Sequence, residues 1–160
     1  MENKEDNKMK NKEHVLVSAC LLGMFCRYDG REKKNLEAES MRHICHLIPV
    51  CPEQAGGMGT PRMPSERKGE QVVNKAGEDV TCFYKKGAME ALKLAKLFDC
   101  KYALLKERSP SCGCNGIYDG TFTGALTEGQ GVTAELLIKQ GVQVFGESQI
   151  KELKEILENG

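Results

Sequence analysis

Residues 14–20 read HVLVSAC. Val15, Leu16 and Val17 form a short apolar run closed by small residues, the pattern of a strand buried on both faces. A cysteine stands where that strand ends. Three further runs repeat the theme: Leu47-Ile48-Pro49-Val50, Tyr102-Ala103-Leu104-Leu105 and Val142-Gln143-Val144-Phe145. Pro49 cannot donate to a ladder, which predicts either a place near a sheet edge or a strained start for the second run.

Helical patterns separate these runs. Ala88, Ala91, Leu92, Ala95 and Phe98 recur at helical spacing and predict an amphipathic helix over about 83–99. Val132, Leu136 and Leu137 mark another, ended by Gly141 as a C′ glycine. Ile150, Leu153, Ile156 and Leu157 mark a third, with Ser148 as its expected N-cap. A weaker pattern covers about 36–46. The alternation β-α-β-α-β-α-β-α predicts an α/β chain: one Rossmann-like, three-layer domain over 14–158 with a mostly parallel sheet. Right-handed crossovers then gather all strand carboxyl ends, and the loops that leave them, along one edge.

The composition sets outer bounds. The chain has 160 residues, 40% hydrophobic and 29% charged, which suits a globular chain and not a disordered one. Lys plus Arg and Asp plus Glu both number 23, so no global field for a polyanion is expected. No apolar run nears the ~20 residues of a membrane span, and the start lacks a signal-peptide core. Residues 1–13 are charged throughout and read as a disordered polar tail. A cytoplasmic protein is expected.

Two connections are long and rich in glycine and proline: 51–79, containing CPEQAGGMGTPRMPSERKGE, and 106–123, containing KERSPSCGCNGIYDGTFTG. Loops of this kind in a compact domain are usually functional. Both follow a predicted strand, where open α/β sheets bind ligands. No Walker or dinucleotide fingerprint is present, because GGMG lacks the strand–Gly–helix order.

Eight cysteines are the main puzzle, since a reducing compartment disfavours structural disulfides. Cys20 closes the first strand, Cys51 closes the second, and Cys112 lies in the loop after the third. A parallel sheet would bring these three to one edge although they are far apart in sequence. Convergent thiolates suit zinc or an iron–sulfur cluster; the competing reading is chance placement, since no CxxC pair accompanies them. Cys45, Cys82 and Cys100 read as packing residues. Cys26 and Cys114 adjoin the proposed site, and each is a candidate fourth ligand.

The motifs SACLLGMFCRYDG, VCPEQAGGMGTPRMPSE, LLKERSPSCG, YDGTFTG and GVTAELL, in this order, resemble those of a bacterial and archaeal family whose characterised members are 2-thiouracil desulfurases. The resemblance spans about 14–157. It implies an oxygen-sensitive 4Fe-4S cluster on only three cysteines, here Cys20, Cys51 and Cys112, with one open iron. It also implies catalytic roles for Glu53, the glutamate of CPE, and Ser109, the first serine of SPSCG. The tail lies outside it.

Elementary chemistry agrees with an open site. An unprotected iron is thiophilic and polarises a thiocarbonyl, so that water adds at carbon and C=S becomes C=O without redox. Such hydrolysis needs a proton carrier, and Glu53 lies near Cys51 without being a ligand. Ser109 precedes Pro110, which holds it extended, and its hydroxyl orients the base or relays a proton; as a bare turn-former it would do neither. Asp29, Arg62 and Arg108 are candidate substrate contacts, with Tyr28 and Lys106 beside them. Gly56, Gly57, Gly59 and Gly113 are expected to aim N–H groups at sulfur. The expected partner is a small thiolated nucleobase, with neither membrane nor nucleic acid involved. The alternatives are a structural zinc protein braced by its cysteines and a desulfurase for thiolated tRNA.

Overall fold

A computed structural model describes residues 12–159. Strand β1 (His14–Ser18) is central in a parallel sheet with β2 (His46–Val50), β5 (Tyr102–Leu105) and β8 (Gln143–Gly146), in the order β2-β1-β5-β8. Val15 pairs with Leu47 on one side and Tyr102 on the other, and Tyr102 pairs with Gln143. Pro49 lies in edge strand β2, as its missing donor requires. The chain steps from β1 outward to β2, then crosses back to β5 on the other side of β1. The strand order therefore reverses beside β1, and open α/β sheets bind ligands at the carboxyl end of such a point.

Alternation along the strands builds two apolar layers. Val15, Val17, Leu104 and Phe145 face α1 (Leu36–Ser40) and α5 (Ile150–Asn159), packing with Ala38, Met41, Ile150 and Leu153. Leu16, Ala103 and Leu105 point the other way, onto Ala91, Leu92 and Ala95 of α3 (Thr81–Leu97) and Ala134 and Leu137 of α4 (Val132–Lys139). Three layers result. Among the described residues, no helix is long and apolar enough to cross a membrane.

Several boundaries differ from the sequence reading. The pattern over 36–46 is only a short helix followed by a 3-10 turn, Met41–His43, because β2 already starts at His46. Both long connections contain elements of their own. The first holds the single turn α2 (Pro52–Ala55) and the hairpin β3 (Ser65–Lys68) with β4 (Gln71–Asn74); the second opens a hairpin of β6 (Ile117–Tyr118) and β7 (Leu126–Thr127). These strands are too short to announce a period. Gly141, at φ +88°, follows α4 as expected. Ser148 is not a helix cap: its hydroxyl donates to Glu107, and a 3-10 turn, Glu147–Gln149, precedes α5. The tail expectation for residues 1–11 lies outside the described residues. Lys12 and Glu13 are bound, Lys12 Nζ donating to the His43 carbonyl at 2.8 Å and the Glu13 carbonyl accepting the His46 N–H at 2.9 Å.

Candidate metal centre and active site

The carboxyl ends of β1, β2 and β5 deliver Cys20, Cys51 and Cys112. Cys20 sits in a 3-10 turn, Ala19–Leu22, that follows β1 and ends at Gly23, whose φ of +94° suits only glycine well. Cys51 precedes α2, with Pro52 at its first helical position. Cys112 is buried in the loop after β5. All three line one cavity of about 540 Å³, together with Glu53, Arg62, Arg108 and Ser109.

A fourth thiol joins them. Cys26 is buried in the same cavity wall, and its carbonyl oxygen accepts the Cys51 thiol at 3.6 Å. The Cys20 contact and burial together push the Cys26 thiol up to about 11. The Cys26 contact and burial push Cys51 up as well, and burial pushes Cys112 up to about 12. Thiols held in this state release protons when they take metal. Cys114 parts from the group: it lines a separate open cavity of about 900 Å³ beside Asn115 and Gln130. Cys45 and Cys100 are buried packing residues, whereas Cys82, expected to pack, is exposed.

The donor set fits a soft multi-iron group. It offers sulfur from three separate strand ends around a cavity of ample size. Among the described residues, no three His, Cys, Asp or Glu side chains are arranged to hold a single metal ion.

Glu53 is clamped. Arg62 donates to its Oε2 through Nε at 2.8 Å and also through a terminal nitrogen. Tyr84, from α3, donates to Oε1 at 3.0 Å. The side chains of Arg62 and Glu53 are 9% and 13% exposed, so this pair is sheltered from solvent screening. Burial and the neighbouring carboxylate push the Tyr84 phenol well above its usual range, so it remains a donor. A carboxylate has about four acceptor positions; three are used, and one on Oε1 stays open.

Arg62 is therefore committed. Its remaining N–H groups go to the carbonyls of Gly59 at 3.2 Å and Cys26 at 2.9 Å and to Thr60 Oγ1 at 3.1 Å. It braces Glu53 and the Cys26 loop, and no donor is left over for a substrate. Arg108 is different: it is exposed and lines the cavity. Lys106 pairs with Glu147 at 2.6 Å. Asp29 does not line the cavity. Its carboxylate accepts the Arg31 N–H at 3.0 Å and pairs with Arg27 at 3.6 Å, the behaviour of a turn residue.

Ser109 Oγ accepts two backbone N–H groups, from Ser111 at 3.1 Å and from Cys112 at 3.0 Å. Both acceptor positions are spent, so the hydroxyl faces the cavity only as a donor. Ser109 thus shapes the Cys112 loop as a turn-former, and its hydroxyl proton is left available at the cavity it lines.

Three of the four glycines act elsewhere than expected. The N–H groups of Gly56, Gly57 and Gly113 donate to the carbonyls of Pro52, Gln54 and Ser109 and not to sulfur. A Cβ on Gly56 would lie 2.1 Å from the Phe83 carbonyl oxygen, and one on Gly87 only 1.9 Å from that of Pro52. This glycine pair seats α2 directly on α3, one turn from Tyr84. Sequence reading missed Tyr84, although a glycine inside a helical pattern was a signal of close approach.

The family model for 2-thiouracil desulfurase matches residues 15–149. This chain belongs to the 2-thiouracil desulfurase family. Within that family's reach, an uncharacterized protein of Bacillus subtilis (strain 168), YbbK, is 40% identical over 149 residues, spanning 87% of this chain and 99% of its own. Among solved structures, TudS, a 4Fe-4S-dependent thiouracil desulfidase, is 45% identical with a TM-score of 0.88. That match covers 93% of this chain and all of TudS. The desulfurase fold is thus shared over nearly the whole described chain.

Proposed function

We propose that this protein is a 4Fe-4S-dependent desulfurase that replaces C=S by C=O in a thiolated pyrimidine of the 2-thiouracil kind. The observation that carries the reading is a single cavity lined by Cys20, Cys51 and Cys112 and by a clamped carboxylate, Glu53. In this reading the three cysteines hold the cluster. Held by these three cysteines alone, the cluster would supply a thiophilic Lewis acid.

The chain's own residues supply the proton chemistry. The open position on Glu53 Oε1 accepts a proton from the water that adds to the ring carbon. Arg62 and Tyr84 keep that oxygen aimed as the proton arrives. Ser109 donates its hydroxyl to the heteroatom on which charge builds. The sum is C=S plus water giving C=O plus hydrogen sulfide, with no change of oxidation state. A free base or nucleoside is the substrate, since equal counts of acidic and basic residues offer no track for a polynucleotide. Eight free thiols suit a reducing cytoplasm.

Anaerobic reconstitution followed by a thiobase panel tests the proposal. Wild-type protein should take up iron and sulfide, develop broad iron–sulfur absorption and remove the thiocarbonyl band of 2-thiouracil. Cys20→Ala should lose iron, while Cys45→Ala, a packing change of about 1 kcal/mol, should keep it. A colourless wild-type protein that retains zinc, or equal iron in both variants, would overturn it.

A further inference from the structure

One wall of the cavity is unused by Glu53, Ser109 and the cysteines. It is formed by the hairpin tip between β6 and β7, and Phe122 lines it. The tip is largely exposed, yet it is fastened to β3. Glu66 Oε1 accepts the N–H groups of Gly120 and Phe122, each at 3.1 Å. A Cβ on Gly120 would stand 2.9 Å from Lys68 Cβ, so the tip lies directly on that strand. Gly120 itself has φ +92°, the conformation this turn needs.

Phe122 has a φ of +57°. A bulky aromatic residue is unfavourable in the left-handed region. Such a residue persists where its surroundings over-determine it, and residues of this kind cluster at ligand clamps. Here the determinant is Glu66, whose carboxylate accepts the Phe122 N–H itself. The strained residue is thereby held at the cavity and not released into solvent, where its half-buried ring would have no packing role.

We propose that Phe122 is a specificity-determining residue, an aromatic wall on which the flat ring of the substrate stacks, and that Glu66 is its positioning residue. The inference rests on the desulfurase reading for the identity of the ring. A stack of this sort recognises the ring face and ignores the exocyclic atom. Phe122 should therefore serve thiolated ring and oxygen product alike, leaving discrimination for sulfur to the metal centre.

The test is calorimetric titration of the anaerobically loaded protein with 2-thiouracil and, separately, with uracil. Uracil carries no sulfur, so its binding reports ring contacts alone. Phe122→Leu should weaken both ligands by roughly 5- to 150-fold, the range for losing one base–aromatic stack. Iron content, cluster absorption and kcat should stay near wild type while KM rises. Phe122→Tyr should restore affinity. Glu66→Ala should weaken uracil as Phe122→Leu does, and Glu66→Gln, which keeps an acceptor oxygen, should recover it. Wild-type affinity for both rings in Phe122→Leu would overturn the proposal, as would a wild-type protein that binds neither. If Phe122→Leu weakens uracil but no preparation desulfurates 2-thiouracil, the wall stands and the desulfurase reading falls.

Discussion

Glu53 illustrates how much a single residue's role depends on its partners. Two N–H groups from Arg62 and the Tyr84 hydroxyl leave its carboxylate one free acceptor position. Replacing it with glutamine preserves shape and length but removes the proton acceptor and opposes the Arg62 donors with an amide. Glu53→Gln should keep iron and thiobase binding while turnover falls by roughly 10²–10⁴-fold. Single-turnover loss of the thiocarbonyl band checks this; near-normal turnover with an intact cluster would remove Glu53 from the mechanism. The neighbouring Ser109 should not behave as a clean probe. Its Oγ holds the Cys112 N–H as well as facing the cavity, so its loss disturbs a cysteine loop together with the chemistry.

At the scale of elements, function hangs on the contact between α2 and α3. Glycines at 56 and 87 let the two backbones approach closely, and the approach brings Glu53 within reach of Tyr84. The β3–β4 hairpin is tied down in turn: Arg67 donates to Glu135 of α4 at 2.6 Å and to the Gln130 carbonyl at 2.7 Å. Gly87→Ala separates two effects of opposite sign. Helix propensity favours alanine by about 1 kcal/mol. Overpacking opposes it by roughly 1–3 kcal/mol, and a Cβ only 1.9 Å from a backbone oxygen cannot be relieved by a side-chain rotation. The clash should win, lowering the denaturant midpoint and turnover together. A more stable Gly87→Ala protein with full turnover would mean that α2 is not held by this contact.

Over the whole molecule, the unused thiols leave a signature in stability. Burial raises Cys45 and Cys100 from the ordinary value of 9.0 to about 11. In the unfolded chain both ionise earlier, so unfolding releases protons at high pH. Their contribution to stability is complete below about pH 9 and fades as pH rises through about 11. Denaturant midpoints measured across this window should fall with pH. The fall should be shallower in a Cys45→Ala, Cys100→Ala double variant, which carries neither shifted group. Equal slopes in the two proteins would show that these thiols do not titrate as their burial requires.

The strand runs, their parallel pairing and the cysteines at their ends were legible in the sequence because burial periodicity is local and a parallel sheet has few permitted connections. That logic was enough to bring Cys20, Cys51 and Cys112 to one edge. The motifs around them pointed to the family. The partners of each side chain were not legible, because they depend on how helices cross a twisted sheet. Tyr84 meets Glu53 across 31 residues of chain through a glycine contact. Arg62 spends its donors within the protein, Asp29 turns away to Arg27 and Arg31, and Cys26 rather than Cys114 joins the thiols. Phe122 lines the cavity with its backbone bonded by Glu66, which stands on a strand too short to leave a period in the sequence. Local pattern thus determined which groups arrive at the sheet edge, and close packing between distant segments decided which of them face the same space.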